Sequence, residues 1–102
     1  RFGGRLERVR LLVPYDEGSR PRRAEGLVDV ALDGELLLTD PRTNRLHQLN
    51  PQGTIIWSVL DGDGTVREIV DDLADVFEAD PDVVYDDVIG LVERKRRLLA
   101  RP

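Results

Sequence analysis

The hydrophobic period of this sequence changes at Asn50-Pro51, which separates a strand-forming part from a helix-forming part. Before this point, short apolar runs alternate with turn residues; after it, apolar residues recur at the spacing of an amphipathic helix. Asn50 is a favourable N-cap, and Pro51 suits the first helical position because an N–H there would have no intrahelical partner. Strands followed by helices, rather than alternating with them, predict an α+β fold.

Three strands are predicted before the change of period, over residues 27–32, 35–40 and 45–49. The pair Asp33-Gly34 lies between the first two and is typical of a type I′ hairpin turn, in which both residues take a positive φ. Residues 41–44 begin with Pro and end with Asn, which favours a second turn. The prediction is a three-stranded antiparallel sheet.

Three helices are predicted after the sheet, over residues 51–60, 65–77 and 81–99. The second begins with a capping box, in which Thr65 caps the N–H of Glu68 and Glu68 reaches back. Trp57 in the first helix is expected in the core. Three strands followed by three helices, two of which form a helix–turn–helix, predict a winged helix-turn-helix-like arrangement.

Residues 1–26 differ from the rest because Gly, Pro and Arg interrupt the apolar pattern. They are predicted to be a partly flexible N-terminal extension, and residues 27–100 to be the compact domain. Part of Leu6 to Val13 is apolar enough to form an extra strand, paired within one chain or swapped between two protomers. The predicted oligomeric state is therefore a monomer or a strand-swapped dimer.

The composition argues against an enzyme. The 102 residues include no Cys and one His, so thiolate metal sites, cysteine nucleophiles and multi-histidine clusters are excluded. The lone His47 has no identifiable catalytic partner, and the Asp61–Gly64 turn lacks calcium ligands, because Val59 and Val70 stand where the calcium loop needs acids. No catalytic residue, metal or cofactor is predicted. No apolar run is long enough to cross a membrane, so we expect a cytoplasmic domain.

The charge distribution bears on a nucleic-acid alternative, since winged helices often bind DNA through a basic helix. Residues 61–93 carry Arg67 against twelve acidic residues, whereas residues 94–102 carry five basic residues. An acidic helical region repels phosphate. A nucleic-acid-binding regulator therefore remains only the alternative function.

A set of residues spread along the sheet and helices points to a known family. The set comprises Leu32-Asp33-Gly34, Leu49-Asn50-Pro51, Ile56-Trp57, Asp61-Gly62, Thr65-Val66, Glu68-Ile69, Leu73, Phe77 and Asp87-Val88. In order and spacing, this set resembles the PqqD family, named for pyrroloquinoline quinone biosynthesis. The resemblance covers about residues 27–100.

The resemblance implies a non-catalytic peptide chaperone of natural product biosynthesis. Members act as recognition elements for ribosomally synthesised and post-translationally modified peptides (RiPPs). They bind the leader segment of a precursor peptide and present it to a modifying enzyme such as a radical SAM enzyme, a cyclase or a leader protease. The leader adds as a strand to the third strand and packs on the third helix. The peptide-binding residues so implied are Arg45, Leu46, His47, Gln48, Leu49, Val84, Asp87, Val88, Leu91 and Lys95.

Two positions depart from the family pattern: Lys95 stands where the family usually has Leu, and Arg97 where Gly often stands. Val84, Val88 and Leu91 recur at helical spacing, so we expect one exposed apolar stripe that faces the groove and continues to Lys95. A leader with apolar anchors and an acidic residue near Lys95 would match such a surface.

Overall fold

A computed structural model describes residues 14–100 and confirms the predicted α+β architecture. The elements are listed in chain order: β1 (Val28–Leu32), β2 (Glu35–Asp40), β3 (Arg45–Leu49), α1 (Pro51–Ser58), α2 (Val66–Phe77), α3 (Pro81–Arg94) and a short 3-10 helix (Arg96–Leu98). The strand expected within Leu6 to Val13 lies outside the described residues. Between residues 14 and 100, no helix is long and apolar enough to cross a membrane.

The three strands form an antiparallel sheet in the order β1-β2-β3. Asp33 and Gly34 join β1 to β2 with φ angles of 53° and 79°, as the type I′ turn requires. Burial alternates along β2, where Leu36, Leu38 and Asp40 face the helices. By contrast, β1 has no buried residue. The β1–β2 hairpin therefore extends beyond the core as a wing.

Each helix begins with a side-chain cap, as the sequence predicts for α1 and α2. The Asn50 side chain accepts a hydrogen bond from the Gly53 N–H at 2.7 Å. Thr65 and Glu68 form the complete capping box before α2. The Asp80 side chain accepts from the Asp82 N–H at 2.8 Å before α3. These caps satisfy N–H groups that have no partner within the helix.

The core lies between the helices and one face of the sheet. Trp57 is 2% exposed, which confirms its predicted place in the core. The other buried apolar residues are Leu36, Leu38, Leu49, Ile56, Leu60, Val66, Ile69, Val70, Leu73, Ala74, Val84, Val88, Leu91, Val92, Leu98 and Leu99. They come from two strands, all three helices, the turn after α1 and the segment after α3.

Residues 14–24, which we call the strap, are fixed to the domain by backbone hydrogen bonds. The Glu17 and Ser19 carbonyls accept from the N–H groups of Arg67 and Val66 at 3.0 and 2.8 Å, so the strap supplies partners for the first turn of α2. Tyr15 donates its N–H to Glu93 at 2.9 Å. The sequence predicts an extension separate from the compact domain, whereas this part of it contacts the domain directly.

The strap also explains why α1 and α3 end before the predicted Leu60 and Leu99. The Arg23 N–H bonds to the Leu60 carbonyl at 3.1 Å, and the Ala24 N–H bonds to the Leu98 carbonyl at 2.9 Å. Through these strand-like hydrogen bonds, the backbone after each helix pairs with the strap. Because such pairing joins residues far apart in sequence, local helical periodicity does not predict it.

The buried face of α3 gives a first testable prediction. Val88→Ala removes two methyl groups from a fully buried site, so the free energy of unfolding should fall by about 2 kcal/mol, or about 10 °C in Tm. Val83→Ala in the same helix is the matched control, because Val83 is 56% exposed. Thermal unfolding followed by circular dichroism measures both. Equal losses in the two variants would contradict this packing.

The contact between the strap and the turn before α2 gives a second prediction. Gly62 and Gly26 both have a φ of 85°, but a Cβ at Gly62 would lie 3.0–3.3 Å from Arg22 side-chain atoms, whereas a Cβ at Gly26 would meet nothing within 4 Å. Gly26→Ala should therefore cost only the backbone strain of a positive φ, about 1–2 kcal/mol. Gly62→Ala should lower the unfolding free energy further, as measured by denaturant titration. Equal losses of unfolding free energy in the two variants would mean that Arg22 moves aside without an energetic cost.

Candidate functional site

The free edge of β3 is the first part of the candidate site. In the described part of the chain, β3 pairs only with β2, so its other edge carries unpaired backbone groups. Leu49 is buried against the helices, and the two-residue period of a strand therefore places His47 and Arg45 on the same face. Leu46 and Gln48 lie on the opposite, outer face, where Leu46 is 66% exposed. The edge can accept a further strand with side chains directed to both faces.

The prediction of an exposed apolar stripe on α3 is wrong. Val84, Val88 and Leu91 are 1%, 0% and 3% exposed, because this side of α3 packs into the core. Of the five α3-side residues implied by the resemblance, Asp87 and Lys95 remain accessible. A charge introduced by Val88→Asp would therefore enter the core and destabilise the fold, rather than report on a binding pocket.

A small cavity of about 140 Å³ lies where the start of α1 meets the middle of α3. Gln52 donates its side-chain amide to the Asp87 carboxylate at 2.8 Å across this junction. Ile56 and Leu91 contribute apolar surface to the lining, and Arg94 closes one side. Sequence reasoning missed Gln52, Ile56 and Arg94. The cap at Asn50 was the available signal, because it fixes where α1 begins beside β3.

In the middle of β3, His47 lies against Lys95. The Lys95 Nζ is 3.4 Å from the His47 Nδ1, although 48 residues separate them. Burial lowers the pKa of His47, and the positive charges of Lys95 and Arg45 lower it further, while Asp40 opposes this effect. Arg42 holds the pKa of Asp40 below its usual range by hydrogen bonding to its carboxylate. The imidazole is therefore neutral near pH 7.

A second exposed surface lies on the outer face of the sheet. Exposed apolar side chains there come from both edge strands: Val28, Val30, Leu32 and Leu46 are 55–66% exposed. This surface adjoins the β3 edge through Leu46. Within residues 14–100, no group of three or more His, Asp or Glu side chains is placed to hold a metal ion.

The sheet, the helix–turn–helix and the open strand edge define a winged-helix-like domain. The profile described as "Coenzyme PQQ synthesis protein D (PqqD)" matches residues 35–98, well over half of the chain. The chain belongs to the PqqD family. The search of curated proteins finds no match.

Two solved structures share the fold. One is TbiB1 in complex with the TbiA(β) leader peptide, with a TM-score of 0.67, 25% identity and coverage of 76% of this chain and 93% of that chain. The other is the PqqD truncation of Methylobacterium extorquens PqqCD, described as a functional, stand-alone RiPP recognition element. Its TM-score is 0.70, with 22% identity and coverage of 85% of this chain and 95% of that chain.

The contact between His47 and Lys95 gives a third prediction. Lys95→Gln removes a positive charge beside the imidazole, so the pKa of His47 should rise toward its ordinary value. Because the chain has a single histidine, proton NMR can follow that titration without assignment. Arg97→Gln is the control: Arg97 is exposed and is not among the charges that shift the pKa of His47, so this variant should leave that pKa unchanged. An unchanged pKa in Lys95→Gln would contradict the contact.

Proposed function

We propose that this chain is a non-catalytic adaptor that binds the leader segment of a ribosomally synthesised precursor peptide and presents it to a modifying enzyme. The observation that carries the proposal is the free β3 edge beside α3, in a chain of the PqqD family. A structure with the same fold, TbiB1, was solved with a leader peptide bound.

Strand addition explains how such a site holds an unstructured peptide. The leader gains backbone hydrogen bonds along Arg45–Leu49, and these bonds carry little sequence information. Selectivity must then come from side chains at the edge. On the helix face these are His47, Lys95 and the cavity at Asp87, and on the outer face Leu46 and Gln48. The buried Val84 and Val88 support the groove from beneath rather than line it, and Leu91 reaches only the cavity at Asp87.

The modifying enzyme is the second proposed partner. A domain that only binds the leader leaves the chemistry to an enzyme such as a radical SAM enzyme, a cyclase or a leader protease. Its place of action would be the cytoplasm, where ribosomal precursors are made. The outer sheet face stays uncovered when a strand adds to β3, so it remains available for that enzyme.

The nucleic-acid alternative gains no support from the family or the similar structures. Eight of the twelve acidic residues in residues 61–93 lie on α2 and α3, including exposed Asp71, Asp72, Asp86 and Asp87. A phosphate backbone would meet like charge on these helices.

The experiment uses fluorescein-labelled 20-residue peptides tiled across the short reading frames that flank the gene for this chain. We expect at least one peptide to bind with a negative heat-capacity change and added strand signal in circular dichroism. That peptide is then made with a single N-methyl group at successive positions. Affinity should fall at every second position, because alternate peptide N–H groups point toward β3. Uniform tolerance of N-methylation would overturn strand addition.

Two variants locate the binding edge. Leu46→Asp on β3 should weaken the same peptide by up to about fivefold, because cross-strand apolar pairs contribute up to about 1 kcal/mol. Val30→Asp on β1 is the matched control, since both side chains are exposed on the outer face. A loss confined to Val30→Asp would assign the peptide to β1 instead.

A further inference from the structure

Lys95 and His47 lie in contact beside β3. They are the only lysine and the only histidine in the sequence. Basic side chains elsewhere in the chain are all arginine, and arginine offers a longer and planar group. A compact, partly buried ammonium therefore lies beside His47 in the proposed groove.

The contact fixes which hydrogen-bonding groups face the groove. An ammonium has only donors, so the His47 Nδ1 must accept from Lys95, and the neutral ring must carry its proton on Nε2. The Lys95 Nζ retains further N–H groups beyond the one directed to His47. Lys95 and His47 together, which we call the His47–Lys95 pair, therefore present donors and no free acceptor.

These donors lack an anionic partner within the described residues. No carboxylate of residues 14–100 lies within 4.0 Å of the Lys95 Nζ. The nearby Asp40 is engaged by Arg42 through its backbone N–H and its guanidinium at 3.0–3.3 Å. Arg45 adds a second positive charge on the same face of β3. Among residues 14–100, the Lys95 ammonium therefore has no direct counter-ion.

The position of Lys95 at the end of α3 does not account for this arrangement. Cations are favourable at a helix C-terminus, but an exposed side chain such as Arg97 satisfies that preference equally well. Lys95 is instead half-buried and turned toward β3. Partial burial of an ammonium without a counter-ion is costly, and a bound anion would offset that cost.

The strand period defines what the anion is. A peptide residue opposite His47 would direct its side chain to the helix face, and the next residue on that face would lie opposite Leu49, toward the cavity between α1 and α3, where Ile56 and Leu91 form part of a mixed lining. Resting on the function proposed above, we propose that the His47–Lys95 pair binds a side-chain carboxylate of the leader. The leader carries an aliphatic residue two positions from that carboxylate.

A peptide selection tests the motif without knowledge of the precursor. Random 12-residue peptides from an mRNA-display library are selected against the wild-type chain, Lys95→Glu and Arg97→Glu. Wild type should enrich Asp or Glu two positions from Leu, Ile or Val. Selection against Lys95→Glu should instead enrich Lys or Arg at the position of that acid. The matched control Arg97→Glu reverses the same charge at an exposed site and should keep the wild-type motif.

A selected peptide then measures the size of the effect. Replacing its Glu with Gln should weaken binding to wild type by up to about fivefold, the range of a solvent-accessible ion pair. The loss should shrink at 1 M salt, where the Debye length is about 3 Å. In Lys95→Gln, the same peptide change should have no effect. Circular dichroism establishes that each variant is folded before selection.

The outcomes separate this proposal from the one on which it rests. Peptides that show alternating N-methyl sensitivity but no acid, or an acid that persists with Lys95→Glu, overturn the carboxylate site and leave leader binding intact. Selected peptides without alternating N-methyl sensitivity, or no enrichment at all, overturn strand addition itself, and the carboxylate site with it.

Discussion

The burial of one face of α3 determines how the rest of the molecule can work. Val84, Val88 and Leu91 contribute their apolar surface to the core, where α3 packs against α2. A small domain has little apolar surface to spare, since it buries a modest share of its chain on folding. The same side chains cannot stabilise the fold and also line an open groove. In the proposed function, recognition therefore depends on backbone groups of β3 and on the polar residues at the margins of α3.

This division suits a protein that handles an extended peptide. Backbone pairing supplies affinity to many sequences, while a few polar contacts such as those of Gln52 with Asp87 and Lys95 with His47 can discriminate among them. The groove is stiff because its floor is the core itself. A leader that binds it need order only its own chain, which limits the entropic cost to one partner.

How far the sequence predicts this structure depends on the range of each interaction. The bounds of β2 and β3 follow from Asp33-Gly34 and the turn before Arg45, because turn chemistry is local. Thr65 and Glu68 fix the start of α2 for the same reason. The ends of α1 and α3 could not be predicted, since they depend on pairing with the strap.

The candidate site shows the same limit. An apolar stripe on a helix indicates that something covers it, but not whether that cover is the protein's own core or a ligand. For Val88 the cover is the core. The contact of His47 with Lys95 spans 48 residues, so no spacing rule could have paired them. The sequence did predict that β3 is an edge strand, because β3 follows β2 through a short turn.

The pairing of the strap with the segment after α3 brings the two described ends of the chain together. Pro14 and Ala100 line the same cavity, and Arg23 forms a bridge with Leu99. The described part of the chain therefore begins and ends at the same place on the domain. A short linker could join the ends, and new termini could be opened at the exposed β1–β2 turn, as in a circular permutant. A protein fused directly at residue 14 or at residue 100 would be tethered at one place on the surface, beside the C-terminal end of α3.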